Sequence, residues 1–424
     1  MILYQKGSEN DIITSEQLNE IVISSLDKLG KQKKVLAIPP DITRYHSRAG
    51  EITCIAKKYY GEKLTDIMPA IGTHFPMTKD EIKKMFPSIP LSLFREHDWR
   101  NGTTCLGRVP PEFVSNVSNG LVNFDWPADV DKLLINGKFD LILSIGQVVP
   151  HEVIGMANGN KNIFVGTGGA EGINKSHFVG AVYGMEKIMG RADTPVRRIL
   201  NYASEHFASS LPIVYIQTVI GKDNNGKLVM RGIFIGDDNE CFEKAAALSL
   251  KVNFTMLDEP LKKVVVYLDP AEFKSTWLGN KSIYRTRMAI ADGGELIVLA
   301  PGLREFGEDK TIDKLIRKYG YVGAQRVKEL VEKNEDLKNN LSAAAHLIHG
   351  SSEGRFTVTY CPGYISREEI EKANFKYGDL AKYSKKYDTS KLKDGFNEIY
   401  GEKIFYISNP AIGLWAYRKR FLDK

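Results

Sequence analysis

Cysteine is scarce and scattered in this chain. The four cysteines, Cys54, Cys105, Cys241 and Cys361, are far apart and no CxxC pair occurs. That argues against a disulfide framework and a zinc knuckle, and makes a reducing cytoplasm the simplest compartment. The first residues, MILYQKGSEN, lack the basic-then-apolar pattern of a secretory leader. No apolar run approaches the ~20 residues that span a bilayer, so no membrane association is expected. The formal net charge is only +6, with lysine and arginine spread among acidic residues and no basic arm. Such a surface suits small anionic ligands at least as well as nucleic acid, and no nucleic-acid partner is expected. HExxH, GxSxG, GxxxxGK[ST] and catalytic-cysteine signatures are missing, as are repeats, low-complexity tracts and coiled coils.

Apolar residues make up 43% and charged residues 26% of the 424, ordinary for a folded protein with a large core. Strand-like runs at 35–38, 64–71 and 139–149 alternate with helical spacing at 15–29, 48–60 and 78–86. Ser15 is the expected cap of the first helix. Residues 87–126 read as loop-rich. Strands at 213–220 and 228–235 flank Asn224-Asn225-Gly226, a hairpin signal, so that pair is expected to be antiparallel. Further strands at 263–268, 295–300, 356–361 and 404–408 alternate with helices, implying a second parallel sheet. The reading is α/β, in two α/β domains with mostly parallel sheets. The first spans 1–258 and carries the chemistry. The second spans 259–424, its last helix free to pack back on the first.

Residues 150–177, PHEVIGMANGNKNIFVGTGGAEGINKSH, are the organising stretch. The order reads as loop, strand over NIFVG, glycine-rich loop, then a helix beginning near Ser176. Several predicted strands end in reactive side chains: Asp41, Thr43 and Arg44; Thr73 and His74; Gln147 and His151. In a parallel sheet such ends converge on one edge. Each also has a plain reading. A loop histidine is commonly a hydrogen-bonded residue, Lys161 could be a surface lysine, and Arg44 could form an ion pair with Asp41. Tyr284, Arg285 and Arg287 lie on a predicted helix, where charged residues usually form a solvated face. His97, in a polar and aromatic loop, stands out among the remaining histidines. Lys161, if buried, would lose its proton readily and become nucleophilic.

Together PPDITR (39–44), GTHFPMT (72–78), EHDW (96–99) and PHEVIGMANGNK (150–161) followed by His177 resemble the nickel-dependent lactate racemase family. The likeness is clearest over 35–180 and continues weakly through Tyr284 and 293–309. It implies two α/β domains with the active site in the cleft between them. It also implies a nickel-pincer nucleotide covalently attached at Lys161, with His177 as the protein's nickel ligand. His74 and His151 would be the acid/base pair. Asp41, Thr43 and Arg44 would bind anionic groups of cofactor or substrate, and Gly155 and Gly159 would admit the nucleotide phosphate. Cofactor-maturation enzymes would be partners, and a chain made without them would be apo.

The resemblance further implies interconversion of 2-hydroxy-acid enantiomers by reversible hydride transfer. Tyr284 and Arg285 would touch substrate. The lactate enzymes carry Gln after that tyrosine and Lys three residues later, where this chain has Arg285 and Met288. The added arginine suggests a larger or more acidic substrate than lactate. Competing readings are a hydrolase with His74, His151 and His177 as metal ligands, a non-catalytic nucleotide binder, and a purely structural α/β protein.

Overall fold

The computed structural model describes residues 1–223 and 225–423. It divides into two units. The first comprises Met1–Val179 with Ile188–Asn253, and the second Gly180–Lys187 with Phe254–Lys424. No single cut in the sequence separates them, because the chain enters the second unit briefly at 180–187.

The first unit is built on a six-stranded sheet in the order Ile2–Gly7, Leu228–Gly236, Ile213–Lys222, Leu141–Gln147, Val35–Ile38, Leu64–Ile67. The last four run parallel, and the first two are added antiparallel. Every residue of Leu141–Gln147 is buried, as its uninterrupted apolar run requires of a strand covered on both faces. Helices Ser15–Leu29 and Ala49–Tyr60 cover one face, where Leu18, Val22, Ile52 and Ala56 meet Val35, Leu143 and Ile216. Helix Asn239–Val252 covers the other, with Phe242 and Ala245 against Val219 and Phe234. The period-two alternation along 213–236 sends successive side chains to these two cores. The hairpin is antiparallel as expected. Asn224 of its turn signal lies outside the described residues; beside it, the Asp223 N–H donates to the Lys227 carbonyl at 2.8 Å.

The structure refines local expectations at three places. The first helix is capped by Thr14, not Ser15, in a reciprocal box with Gln17. Residues 87–126 are loop-rich as expected but also hold regular elements: Thr103–Val109 pairs antiparallel with Trp126–Asp131, and helix Pro111–Val117 lies between. NIFVG is not a strand but a buried π-helical turn, Asn162–Gly166, and the following helix starts at Ala170 rather than near Ser176. The β-branched and aromatic content of NIFVG suits a strand, but tertiary ties override it. The Asn162 side chain donates to the Ile38 carbonyl and to Ser144 Oγ, both at 3.1 Å, and the Gly166 carbonyl accepts from Gly72 N–H at 2.9 Å.

The second unit has its own six-stranded sheet, in the order Lys376–Tyr377, Thr357–Pro362, Ile290–Ala300, Leu261–Tyr267, Glu402–Ile407, Gly395–Ile399. All pairs are parallel except the last. Val265, Ile297, Leu299, Tyr387 and Tyr406 form its core on one face. The terminal helix, Arg418–Leu422, belongs to this unit, and Phe421 packs on Phe254. Among the described residues no helix is long and apolar enough to cross a membrane.

Candidate active site

Past Val35–Ile38, Asp41 caps a short 3-10 turn, Ile42–Ser47, accepting from the Thr43 N–H at 3.0 Å and from the Thr43 hydroxyl. Its other oxygen holds His74 Nδ1 at 2.6 Å. The carboxylate is buried and the imidazole half exposed, 6% against 55%. Burial alone would raise the Asp41 carboxyl; the His74 bond and charge, with Thr43, outweigh it and hold it below the ordinary range. With Nδ1–H committed to Asp41, the neutral form of His74 has its lone pair on Nε2.

His151 sits in a two-residue ladder, Pro150–His151 against Gly155–Met156. The Val153 N–H donates to its Nδ1 at 3.1 Å, so neutral His151 carries its proton on Nε2, the opposite tautomer to His74. Gly155 has φ +89°, and an added Cβ would lie 2.1 Å from the Arg191 carbonyl oxygen. Its glycine identity therefore has a packing cause within the fold. Asn158 and Gly159 both have positive φ and turn the chain into the helical start at Asn160 and Lys161.

His177 lies on helix Ala170–Tyr183, one turn beyond Ile173, and its Nδ1–H donates to the Ile173 carbonyl at 2.7 Å. That bond fixes the ring and leaves Nε2 with a lone pair, the state a metal-ligating imidazole needs. A brace from 96–131 holds the start of this helix. Buried His97 bridges Asp131 at 2.7 Å and the Gly168 carbonyl at 3.0 Å. The Trp126 indole donates to the Gly172 carbonyl and to Ser176 Oγ.

These groups share one electrostatic neighbourhood. Burial lowers Lys161 to about 8; Arg44 and Arg197 add to the shift, while Glu152 and Asp41 oppose it. Roughly a tenth of that amine is unprotonated at pH 7, against a few in ten thousand for an ordinary lysine. Burial also depresses His151 well below the usual histidine range, with Lys161, Arg44 and His177 adding to it and Glu152 opposing. His177 is lowered by burial and by Lys161, against the Ile173 bond and Glu152. His46 is lowered by burial and by Arg44. A site of this kind keeps imidazoles neutral and an amine nucleophilic.

The structure thus gathers Asp41, Arg44, His74, His151, Lys161 and His177 within the first unit. Thr43 bonds Asp41 rather than standing apart as an anion contact. Gly159 lies under Phe242 and Arg197. Tyr284 and Arg285 belong to the second unit, and the expected solvated face is overturned there. Arg285 and Arg287 are buried, at 4% and 2% exposure. Arg285 donates to the Gly413 carbonyl at 3.1 Å, and Arg287 pairs with Glu186 at 3.1 Å. Tyr284 is buried edge-on to His349. Among the described residues no three His, Cys, Asp or Glu side chains group to hold a metal ion. Sequence reasoning missed Glu152, which faces Lys161 and two histidines, and Arg197. A charge next to His151 was the available signal for the first; nothing local marked the second.

The chain is similar to known proteins in sequence and in fold. Residues 3–189 match the family described as the lactate racemase N-terminal domain. A crystal structure of a protein from Thermotoga maritima is 26% identical, with TM-score 0.81 over 97% of this chain and 100% of that one. The lactate racemase apoprotein from Thermoanaerobacterium thermosaccharolyticum shares the fold at 17% identity, with TM-score 0.70 over 95% of this chain and 93% of that one. No curated protein matches by sequence.

Proposed function

We propose, from the match of residues 3–189 to the lactate racemase N-terminal domain family, that this chain is an isomerase that racemises or epimerises a 2-hydroxy acid with a nickel-pincer nucleotide. One observation carries the reading. A half-buried amine with its pKa lowered to about 8 shares a neighbourhood with a half-buried histidine whose Nε2 lone pair is fixed for ligation. Lys161 would hold the nucleotide through a thioamide, and His177 would provide the single protein ligand to nickel. A donor set of one imidazole suits a group that brings its own soft donors to square-planar Ni(II). When bound, that group supplies reversible hydride acceptance at the substrate carbon.

The chain's own residues do the rest. The C2 proton of a 2-hydroxy acid is too weakly acidic for easy removal, so oxidation to a planar keto acid is the accessible route to inversion. His74, oriented by Asp41, takes the hydroxyl proton at Nε2. His151 offers Nε2–H to the substrate oxygen. For the opposite enantiomer the two exchange roles, and His151 must give up the Val153 N–H to do so. Arg44, whose charge acts on both Lys161 and His151, is the group to grip the substrate carboxylate. A substrate larger or more acidic than lactate is supported by the sequence, where Arg285 and Met288 replace the Gln and Lys of the lactate enzymes.

The test is co-expression with cofactor-maturation enzymes, followed by intact mass, nickel analysis and polarimetry across a panel of 2-hydroxy acids. An adduct at Lys161 with interconversion of at least one substrate is expected. An unmodified Lys161 in nickel-replete, maturation-competent cells would overturn the reading. Turnover of lactate alone would overturn the substrate choice.

A further inference from the structure

Arg197 is a buried arginine, 2% exposed, with no ion pair among the described residues. It lies on helix Pro195–Phe207, whose cap Thr194 accepts from the Arg197 N–H and donates to the Ile154 carbonyl. The guanidinium stacks 3.9 Å from the Phe242 ring centroid. Among the described residues, the hydrogen bonds of the guanidinium all go to one loop. Nη2 donates to the carbonyls of Met156 at 2.7 Å and Asn158 at 3.1 Å, and Nη1 donates to the Asn160 side chain. Asn160 is held in turn by Asn201 at 2.8 Å and Ser204 at 3.1 Å. This loop contains two successive residues at positive φ, a conformation of low intrinsic population, and it ends at Lys161. Burying an arginine without a carboxylate is costly, so the loop carbonyls it binds must offset that cost.

We propose that Arg197 is a positioning residue for Lys161, its fork clamping the 156–160 backbone so that the Lys161 amine is presented into the buried site rather than to solvent. The clamp gives meaning to, and rests on, the reading of Lys161 as the attachment amine. Its test uses the unloaded chain and is independent of turnover. Arg44 and Arg197 push the Lys161 amine down, Glu152 and Asp41 pull it up, and His151 and His177 share its surroundings. If the clamp is released, the amine gains water and loses a neighbouring cation, and both changes return it toward the ordinary lysine value.

The experiment labels the full-length unloaded chain with a small acylating reagent, reads modification at Lys161 by peptide mass spectrometry across a pH series, and measures amide exchange over 156–161. Wild type should show an inflection near 8. Arg197→Gln should move that inflection upward and speed exchange of the loop by about tenfold or more. Arg197→Lys keeps the charge but not the fork, so it should fail to restore slow exchange. Asn160→Ala removes one of the three contacts and should give smaller changes of the same sign, which keeps the test decisive if Arg197→Gln does not fold. Wild-type inflection and exchange in these variants would overturn the clamp, as would a global loss of stability with the Lys161 inflection unmoved. Rescue by Arg197→Lys would overturn the fork geometry.

Discussion

At the scale of single residues, the two histidines proposed as the acid/base pair differ in what fixes them. His74 depends on a side chain, Asp41; His151 depends on a backbone N–H. Asp41→Asn keeps a good helix cap but no longer fixes the tautomer that leaves Nε2 basic. In the loaded enzyme it should lower kcat by roughly 10²–10⁴-fold, with an unchanged circular dichroism spectrum. A loss below tenfold would remove Asp41 from the proton-transfer machinery. The histidines also predict a pH dependence of stability. His46 and His151 are depressed in the folded chain, chiefly by burial. Their contribution is complete above the unfolded histidine value near 6.5 and falls as pH drops toward their folded values, because the unfolded chain takes up protons first. Each can contribute a slope of up to about 1.4 kcal/mol per pH unit in that window. Asp41, also depressed, acts in the same direction but only below the ordinary carboxylate range. Urea midpoints should therefore fall between pH 7 and pH 5.5, and His151→Gln should flatten that fall. An equal slope in the variant would refute the assignment.

At the scale of elements, the parallel strands were legible because apolar runs of strand length ended in polar, reactive residues. The same feature exposed Asp41, His74 and His151 as a group. The turn at 162–166 was not legible, because the side chains of NIFVG fit a strand while Asn162, at its first position, ties it to two strand ends. The 103–131 hairpin was hidden by its many polar and half-exposed positions, which blur alternation. Arg197 reaches a loop thirty-seven residues away, and Asn160 carries no signature announcing that partner. Gly155 gives the element-level test. Ala there meets positive φ and the Arg191 carbonyl together, and should cost about 2–4 kcal/mol in chemical denaturation. Gly120 also has positive φ, but an added Cβ meets nothing within 4 Å. Gly120→Ala should cost only about 1–2 kcal/mol. Equal costs would mean that conformation, not packing against 188–194, sets the Gly155 requirement.

At the scale of the whole molecule, the helix that carries His177 begins in the first unit and ends in the second, and the chain returns to the first after Lys187. Glu186 anchors that excursion. It is 9% exposed and accepts from Arg287 at 3.1 Å and from Arg355 at 3.0 Å. Arg355 also binds Asp292 at 2.9 Å, which Arg420 reaches at 3.0 Å. Three arginines thus surround two carboxylates, and Asp292 is mostly exposed, so Glu186 is the principal buried counter-charge. Removing one member of a buried network leaves the others charged and desolvated, a change that costs about 3–5 kcal/mol. Glu186→Gln should accordingly speed amide exchange across 287–299 and 355–362 in the second unit. Exchange over 35–38 and 141–147, the sheet centre of the first, should stay as in the parent. Uniform acceleration in both sheets would mean that the two units open as one cooperative body, and the excursion would then be a consequence of their common stability rather than a tether belonging to the second unit.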